Sequence, residues 1–232
     1  MPKGSKIFSI REDVYERLKE YADKHETTLL GAIELLLEKM RRENFEELAF
    51  QPPMYVQHLR SRDHAALFYD TGDVKHKICF QFLEAGLLRG EATVYLVSEH
   101  KLDLESREIK RYGISVNSPR KKAFTIMSAD EWYLKKGEAR AETIIANWLK
   151  LLKEKQKAGF TALRAACEME VFFDYEKSRE LLRYEAALGR QLSLNACALC
   201  LYNTHRLGEK PFIQLIKSHG HSIFKGIALK TT

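Results

Sequence analysis

Residues 64–99 read HAALFYDTGDVKHKICFQFLEAGLLRGEATVYLVSE, and the fold turns on them. His64–Tyr69 is a short apolar run that Thr71-Gly72-Asp73 interrupts. Beyond the break, Ile78, Cys79, Phe82, Leu83, Ala85, Leu87 and Leu88 recur at helical spacing. Gly90 closes that helix, and Ala92–Val97 is a second run rich in the β-branched and aromatic residues that strands favour. Strand, loop, helix and strand at this length make a βαβ crossover, so the two strands are expected to be parallel neighbours.

This layout resembles the opening of a RecA-like or KaiC-like P-loop ATPase, whose strand-to-helix loop holds phosphate. Such a loop needs GxxxxGK followed by Ser or Thr, because glycines let backbone N–H groups close on phosphate and the hydroxyl ligates magnesium. Lys75 stands where the P-loop lysine would be. Tyr69 replaces the first glycine, Val74 the last, and His76 the Ser/Thr, so Gly72 and Lys75 alone survive. The expectation is an α/β, RecA-like, mostly parallel sheet flanked by helices that has lost its nucleotide, with no cofactor.

Downstream the same alternation continues. A charged amphipathic helix is expected at Leu102–Tyr112, a strand at Ala123–Met127, and a long helix at Ala139–Ala158. Then come a strand at Phe160–Cys167, a helix at Tyr175–Gln191 and a strand at Leu194–Tyr202. The tail reads as a helix, Pro211–Lys217, and a final strand, Ile223–Leu229. Upstream, Glu43–Arg62 carries Gln51-Pro52-Pro53 and little periodicity, and is read as a stiff, extended linker.

The first 44 residues form a different unit. A strand at Lys6–Ile10 precedes a helix with Val14, Leu18, Tyr21 and Ala22 on one face. Thr27 or Thr28 caps a second helix, with apolar positions as far as Met40 and Lys39, Arg41 and Arg42 at its C-terminal end. So small a unit cannot bury a core alone and must dimerise or dock. Over about Lys6–Arg42 it resembles the ribbon–helix–helix family, in which two chains pair their strands into a ribbon that enters the DNA major groove. The resemblance implies Ser5, Ile7 and Ser9 as groove-facing residues, with Thr27 and Thr28 at the second helix. Ile7 cannot hydrogen-bond base edges, and nine Lys/Arg balance nine Asp/Glu up to Asn44. The alternative is a dimeriser that no longer touches DNA. The organisation is therefore read as a 1–44 module, a 45–62 linker and a 63–232 sensory domain.

The segments HAALFYD, QFLEAGLLRGE, ADEWYLKKG, ALRAACEME, RYEAAL and ACALCLYN together resemble the MEDS domain (methanogen/methylotroph, DcmR-type sensory domain) over about His64–Leu207. That resemblance implies a P-loop-like fold that senses small hydrocarbon derivatives for transcription or signalling. Ligands of open parallel sheets sit at the C-terminal strand ends. The candidate ligand-binding residues are His64 and Tyr69, then Gly72, Lys75 and His76, then Trp132 and Tyr133, then Glu168 and Tyr202. Each has a structural alternative. His64 can be a satisfied core histidine, Trp132 and Tyr133 can pack the long helix, Glu168 can pair with Arg164 or a lysine, and Lys75 can simply start a helix.

Other chemistry is weakly represented. No Ser/His/Asp or Cys/His set sits on a strand–turn–helix elbow, so no catalytic residues and no enzymatic activity are expected. Cys197-x-x-Cys200 lies in an expected strand, where residues three apart face opposite ways. His219-Gly220-His221 with His205 has no Cys or carboxylate at a familiar metal-site spacing, so no metal site is expected. The net charge of +6 is spread over surface helices. No apolar run approaches a membrane span, and MPKGSK lacks a signal core, which points to a cytoplasmic protein. The expected partners are DNA, a small organic ligand and a second copy of the chain, giving a ligand-responsive transcriptional regulator. The alternative is a sensor or scaffold acting through protein partners.

Overall fold

The computed structural model describes residues 7–10, 12–28, 31–33, 35, 52–114, 123–134, 137–191, 195–224 and 227–231; at 7–10, 12–15, 17, 189–191, 209 and 227–231 it gives the backbone alone. In chain order the elements begin with β1 (Ile7–Ile10), α1 (Glu12–Lys24), α2 (Pro52–His58), β2 (His64–Tyr69), α3 (Gly72–Leu88) and β3 (Ala92–Val97). Next are α4 (Leu102–Tyr112), β4 (Phe124–Ser128), α5 (Ala129–Tyr133), α6 (Ala141–Lys157), β5 (Leu163–Glu168) and α7 (Glu170–Asp174). The chain closes with α8 (Ser178–Gln191), β6 (Ala196–Asn203), α9 (Glu209–Ser218), β7 (His221–Phe224) and β8 (Ile227–Thr231).

One eight-stranded sheet, ordered β1-β8-β7-β2-β6-β5-β3-β4, runs through the molecule. The six strands from β7 to β4 in that order are all parallel. The architecture is therefore the expected α/β one, a mostly parallel sheet flanked by helices. β2 and β3 are the two strands of the βαβ unit, but they are not neighbours: β6 and β5 lie between them. Every residue of β2, β3 and β5 is buried, as strands covered by helices on both faces must be.

Alternation along the strands divides the core. Ala65, Leu67 and Tyr69 of β2 join Val56 of α2, Ile78, Phe82 and Leu83 of α3 and Ile109 of α4 on one face. Ala66 and Phe68 join Ile144 and Trp148 of α6, Leu181 and Tyr184 of α8 and Phe212 of α9 on the other. Cys197 and Cys200 fall on opposite faces, as the two-residue period demands. Among the described residues no helix is long and apolar enough to cross a membrane.

Three local expectations are corrected. The linker read as extended contains α2. Pro52 and Pro53 occupy its first turn, where a missing N–H costs nothing, and Val56 and Leu59 are buried against the sheet domain. The final strand read at Ile223–Leu229 is two, β7 and the antiparallel β8. β1, expected to build a two-chain ribbon, pairs within its own chain, parallel to β8 from Ile7↔Ala228 to Ile10↔Thr231. Leu18, Ala22, Ala32 and Ile33 belong to the same apolar cluster as α6 and α8. Of the expected second helix, 27–42, most lies outside the described residues. Its start is described, and Thr28 Oγ1 accepts from Gly31 N at 3.0 Å, as a cap does.

Candidate functional site

The turn from β2 into α3 stands where a phosphate loop would, and two of its backbone N–H groups bond within the chain. Thr71 caps α3 by accepting from Val74 N at 3.4 Å, and the Lys75 N–H bonds Thr71 O at 3.1 Å. A Cβ placed on Gly72 would meet nothing within 4 Å, so no neighbouring group of the chain requires glycine here. The helix N-terminus that would hold an anion is already capped by its own chain.

Lys75 turns inward from the first turn of α3 and is 4% exposed. Its Nζ donates to Glu105 Oε1 at 2.6 Å and to Glu168 Oε1 at 2.5 Å. Glu168 ends β5, and its second oxygen accepts from Ser98 N, just past β3, at 3.1 Å. Glu105 projects from α4 and accepts from Tyr95 OH at 2.8 Å and from His76 Nε2 at 3.0 and 3.1 Å. Alongside, Tyr69 OH donates to Glu170 Oε1 at 3.0 Å, and Lys101 pairs with Glu170. Three carboxylates thus meet two lysines and an imidazole where the C-terminal ends of β2, β3 and β5 converge.

Burial alone would lower the Lys75 pKa, but Glu168 and Glu105 outweigh it and hold the ammonium above its ordinary value. Burial alone would raise Glu105; the His76 hydrogen bond and the charge of Lys75 bring it down to about 2. Glu170 is likewise lowered, against burial, chiefly by Lys101. Because Glu105 sits below its ordinary 4.5, it contributes stability that is complete above about pH 5 and is lost as the pH falls toward about 2. Acid titration followed by circular dichroism should show that loss, and Glu105→Gln should be less stable at neutral pH with a flatter acid limb. An acid limb as steep as the wild type's would assign the effect to other carboxylates.

The site unites four of the candidate residues, Tyr69, Lys75, His76 and Glu168, with Gly72 at its mouth. Glu168 pairs with Lys75 and not with Arg164, which sits on the Glu91 carboxylate at 2.5 Å instead. Four candidates lie elsewhere. Trp132 packs on Trp148 with ring centroids 4.6 Å apart, and Tyr133 packs against Phe172 at 5.0 Å and Tyr184 at 5.7 Å, building the core under α6 and α8. His64, placed at the C-terminal strand edge from sequence, begins β2, roughly 16 Å along the strand from Tyr69. Tyr202, near the end of β6, donates to Glu185 Oε1 at 2.6 Å. Of the DNA-facing candidates, Ser5 is outside the described residues and only the backbone of Ile7 and Ser9 is described.

Sequence reasoning missed Tyr95, Lys101, Glu105 and Glu170. Glu170 is the last residue of the ALRAACEME segment. Glu105 was hidden among the charges of an amphipathic helix, and only its inward position on α4 marks it. It also missed a second buried group, in which His64 Nε2 lies 3.4 Å from Cys200 Sγ and 3.2 Å from Glu185 Oε2, with His219 Nε2 3.5 Å from the same oxygen. Burial, with the His64 ring alongside, pushes the His219 pKa down to about 3, and burial pushes the Cys200 thiol up.

Among solved structures, the chain is similar to the flagellar accessory protein FlaH of Methanocaldococcus jannaschii at 10% identity and a TM-score of 0.48, covering 77% of this chain and 78% of that one. A KaiC-like protein of Pyrococcus horikoshii OT3 is similar at 16% identity and a TM-score of 0.48, over 71% of each chain. A search of curated proteins finds no match. The family model described as "MEthanogen/methylotroph, DcmR Sensory domain", MEDS, matches residues 63–220, which span β2 through α9 and hold both buried clusters. The match covers more than half of the chain, and the protein belongs to the MEDS family of sensory domains.

Proposed function

We propose that this chain senses a small organic molecule, not a nucleotide, and passes the result to transcription through its N-terminal segment as a homodimer. The observation that carries the first half is the double ion pair of Lys75. The lysine position that would grip a phosphate is saturated by Glu105 and Glu168, whose negative charge also repels an incoming anion. A nucleotide would have to break two buried ion pairs to enter. The saturated lysine supports a reading in which the chain does not hydrolyse ATP.

A more suitable place for an apolar ligand lies on the opposite face. A small cavity of about 30 Å³ is lined by Trp148, Leu152, Cys167, Tyr184, Leu188 and Cys200. Its apolar and aromatic lining suits a compound of very few atoms, such as a short halogenated or methylated hydrocarbon. Thermal unfolding should be insensitive to ATP with magnesium and should shift upward with one of a panel of such compounds. Filling the cavity by Ala165→Leu should abolish the shift. A stabilisation by ATP that disappears in Lys75→Met would sink this reading.

For the output, a salt titration of binding to the chain's own upstream DNA, against a random duplex, is the test. Sequence-selective binding that is lost when Ser5, Ile7 and Ser9 become alanine supports a DNA-binding regulator. Weak binding to both duplexes that vanishes with salt refutes it. The second reading, output through protein partners, is favoured by the pairing of β1 with β8 in the same sheet, which occupies one edge of the would-be ribbon strand.

A further inference from the structure

His64, Glu185, Cys200 and His219 stand apart from the ion-pair site. They lie on the other face of the sheet and toward the N-terminal end of β2. They come from four places in the chain: the start of β2, the middle of α8, β6, and the link from α9 to β7. All four are at most 4% exposed. One donor atom from each lies within 4.8 Å of every other.

We propose that these four side chains bind a single zinc-type divalent transition-metal ion in a closed, tetrahedral site.

The geometry carries this assignment. A tetrahedral ion with bonds of about 2.1 Å sets neighbouring ligand atoms about 3.4 Å apart. The recorded separations are 3.4 Å for His64 Nε2 to Cys200 Sγ, 3.2 Å for His64 Nε2 to Glu185 Oε2 and 3.5 Å for His219 Nε2 to Glu185 Oε2. Glu185 Oε2 has no partner with hydrogen-bond geometry, although two imidazole nitrogens lie this near. His64 Nε2 is within hydrogen-bond reach of Cys200 Sγ, both imidazoles face the same Glu185 oxygen, and the remaining donor pairs lie within 4.8 Å, so a small inward shift brings all four atoms onto one ion.

The surrounding contacts hold the ligands in a binding form. His219 Nδ1 lies 2.7 Å from Leu215 O. A carbonyl only accepts, so Nδ1 carries the proton and Nε2 presents its lone pair to the cluster. Tyr202 OH donates to the other oxygen of Glu185 at 2.6 Å, which orients the carboxylate. Charge balances as well. A cysteine thiolate and a glutamate carboxylate neutralise a divalent cation, and two neutral imidazoles complete the set, so no net charge is buried. Two imidazoles, one thiolate and one carboxylate suit borderline ions such as zinc and exclude magnesium and calcium, which prefer oxygen alone.

With four protein ligands and no exposed position, the ion joins β2, β6, α8 and the entry to β7. Cys200 also lines the cavity of about 30 Å³, so the ion fixes part of that wall. The inference stands whatever the sensor detects.

The test is metal analysis of the full chain, purified after expression with zinc, together with cobalt substitution. About one ion per chain is expected, and the cobalt form should show tetrahedral d–d bands and thiolate-to-metal charge transfer. Zinc added to chelator-treated protein should raise its melting temperature. Cys200→Ala should lose both the ion and the charge-transfer band. Tyr202→Phe, which keeps all four ligands, should bind with about 10–100-fold lower affinity. Wild-type protein that holds no metal and gains no thermal stability from zinc would overturn the site. So would Cys200→Ala that keeps a full equivalent with an unchanged cobalt spectrum, since the ion would then lie elsewhere.

Discussion

Lys75→Met should destabilise the protein by about 3–5 kcal/mol, the usual cost of removing one partner from a buried ion pair. The substitution keeps most of the side-chain volume, so a packing cavity contributes little. What remains is electrostatic. Glu105 and Glu168 would face each other across the space Lys75 occupied, both buried. Glu105 would retain Tyr95 and His76, and Glu168 would retain Ser98 N, with Lys101 Nζ 4.0 Å away. Glu168→Gln added to Lys75→Met should therefore recover part of the loss, because it removes one of the two uncompensated charges. Chemical denaturation of the two single variants and the double variant measures this coupling. A cost below about 1 kcal/mol for Lys75→Met would mean that the lysine behaves as a solvated cation, and the closed-site argument would fail with it.

Arg164→Ala should cost a similar amount, about 3–5 kcal/mol. Arg164 is fully buried in β5. Its Nε donates to Glu91 Oε2 at 2.5 Å, its Nη2 to Leu59 O at 2.9 Å, and its guanidinium lies over the Phe82 ring, 4.6 Å from the centroid. Alanine would leave the buried Glu91 carboxylate without its cation and would leave Leu59 O, just after α2, with Arg89 Nη1 as its donor at 3.0 Å. The same arginine explains Gly86 in the last turn of α3. A Cβ there would stand 2.6 Å from Arg164 Cδ and 3.0 Å from Nε, and both ends of that side chain are pinned. Gly86→Ala alone should cost about 1–3 kcal/mol through overpacking, despite the better helix propensity of alanine. In the Arg164→Ala background the clash is gone, and the same change should be neutral or gain up to about 1 kcal/mol. Additive effects in the four-variant cycle would refute the steric account.

Local pattern in the chain determined a good deal. The helix from Gly72 to Leu88 follows from its apolar spacing, the Thr71 cap and the Gly90 stop, all within one stretch. The parallel, doubly covered sheet follows from the apolar β2, β3 and β5 runs alternating with helices. The opposite facing of Cys197 and Cys200 needs only the period of a strand. The failure of the phosphate loop could also be read directly, because Val74 and His76 stand where glycine and a hydroxyl are required.

Contacts between distant segments were decided by tertiary structure. Nothing near Glu105 in sequence shows that α4 turns it toward Lys75, thirty positions away, for on an amphipathic helix a buried carboxylate looks like any other charge. His64, Glu185, Cys200 and His219 have no local spacing to betray them. The parallel order that sets β2 between β6 and β7 brings them together. The prolines before α2 are equally consistent with an extended linker or a helix start, and the choice came from burying Val56 and Leu59 and from the hydrogen bond of Arg164 to Leu59 O. The partner of β1 was likewise beyond the reach of its four residues, because a strand edge carries the same donors and acceptors whichever chain it meets; here it meets β8. Periodicity fixes which residues face inward, while the identity of what they meet depends on chain segments that only the folded sheet makes neighbours.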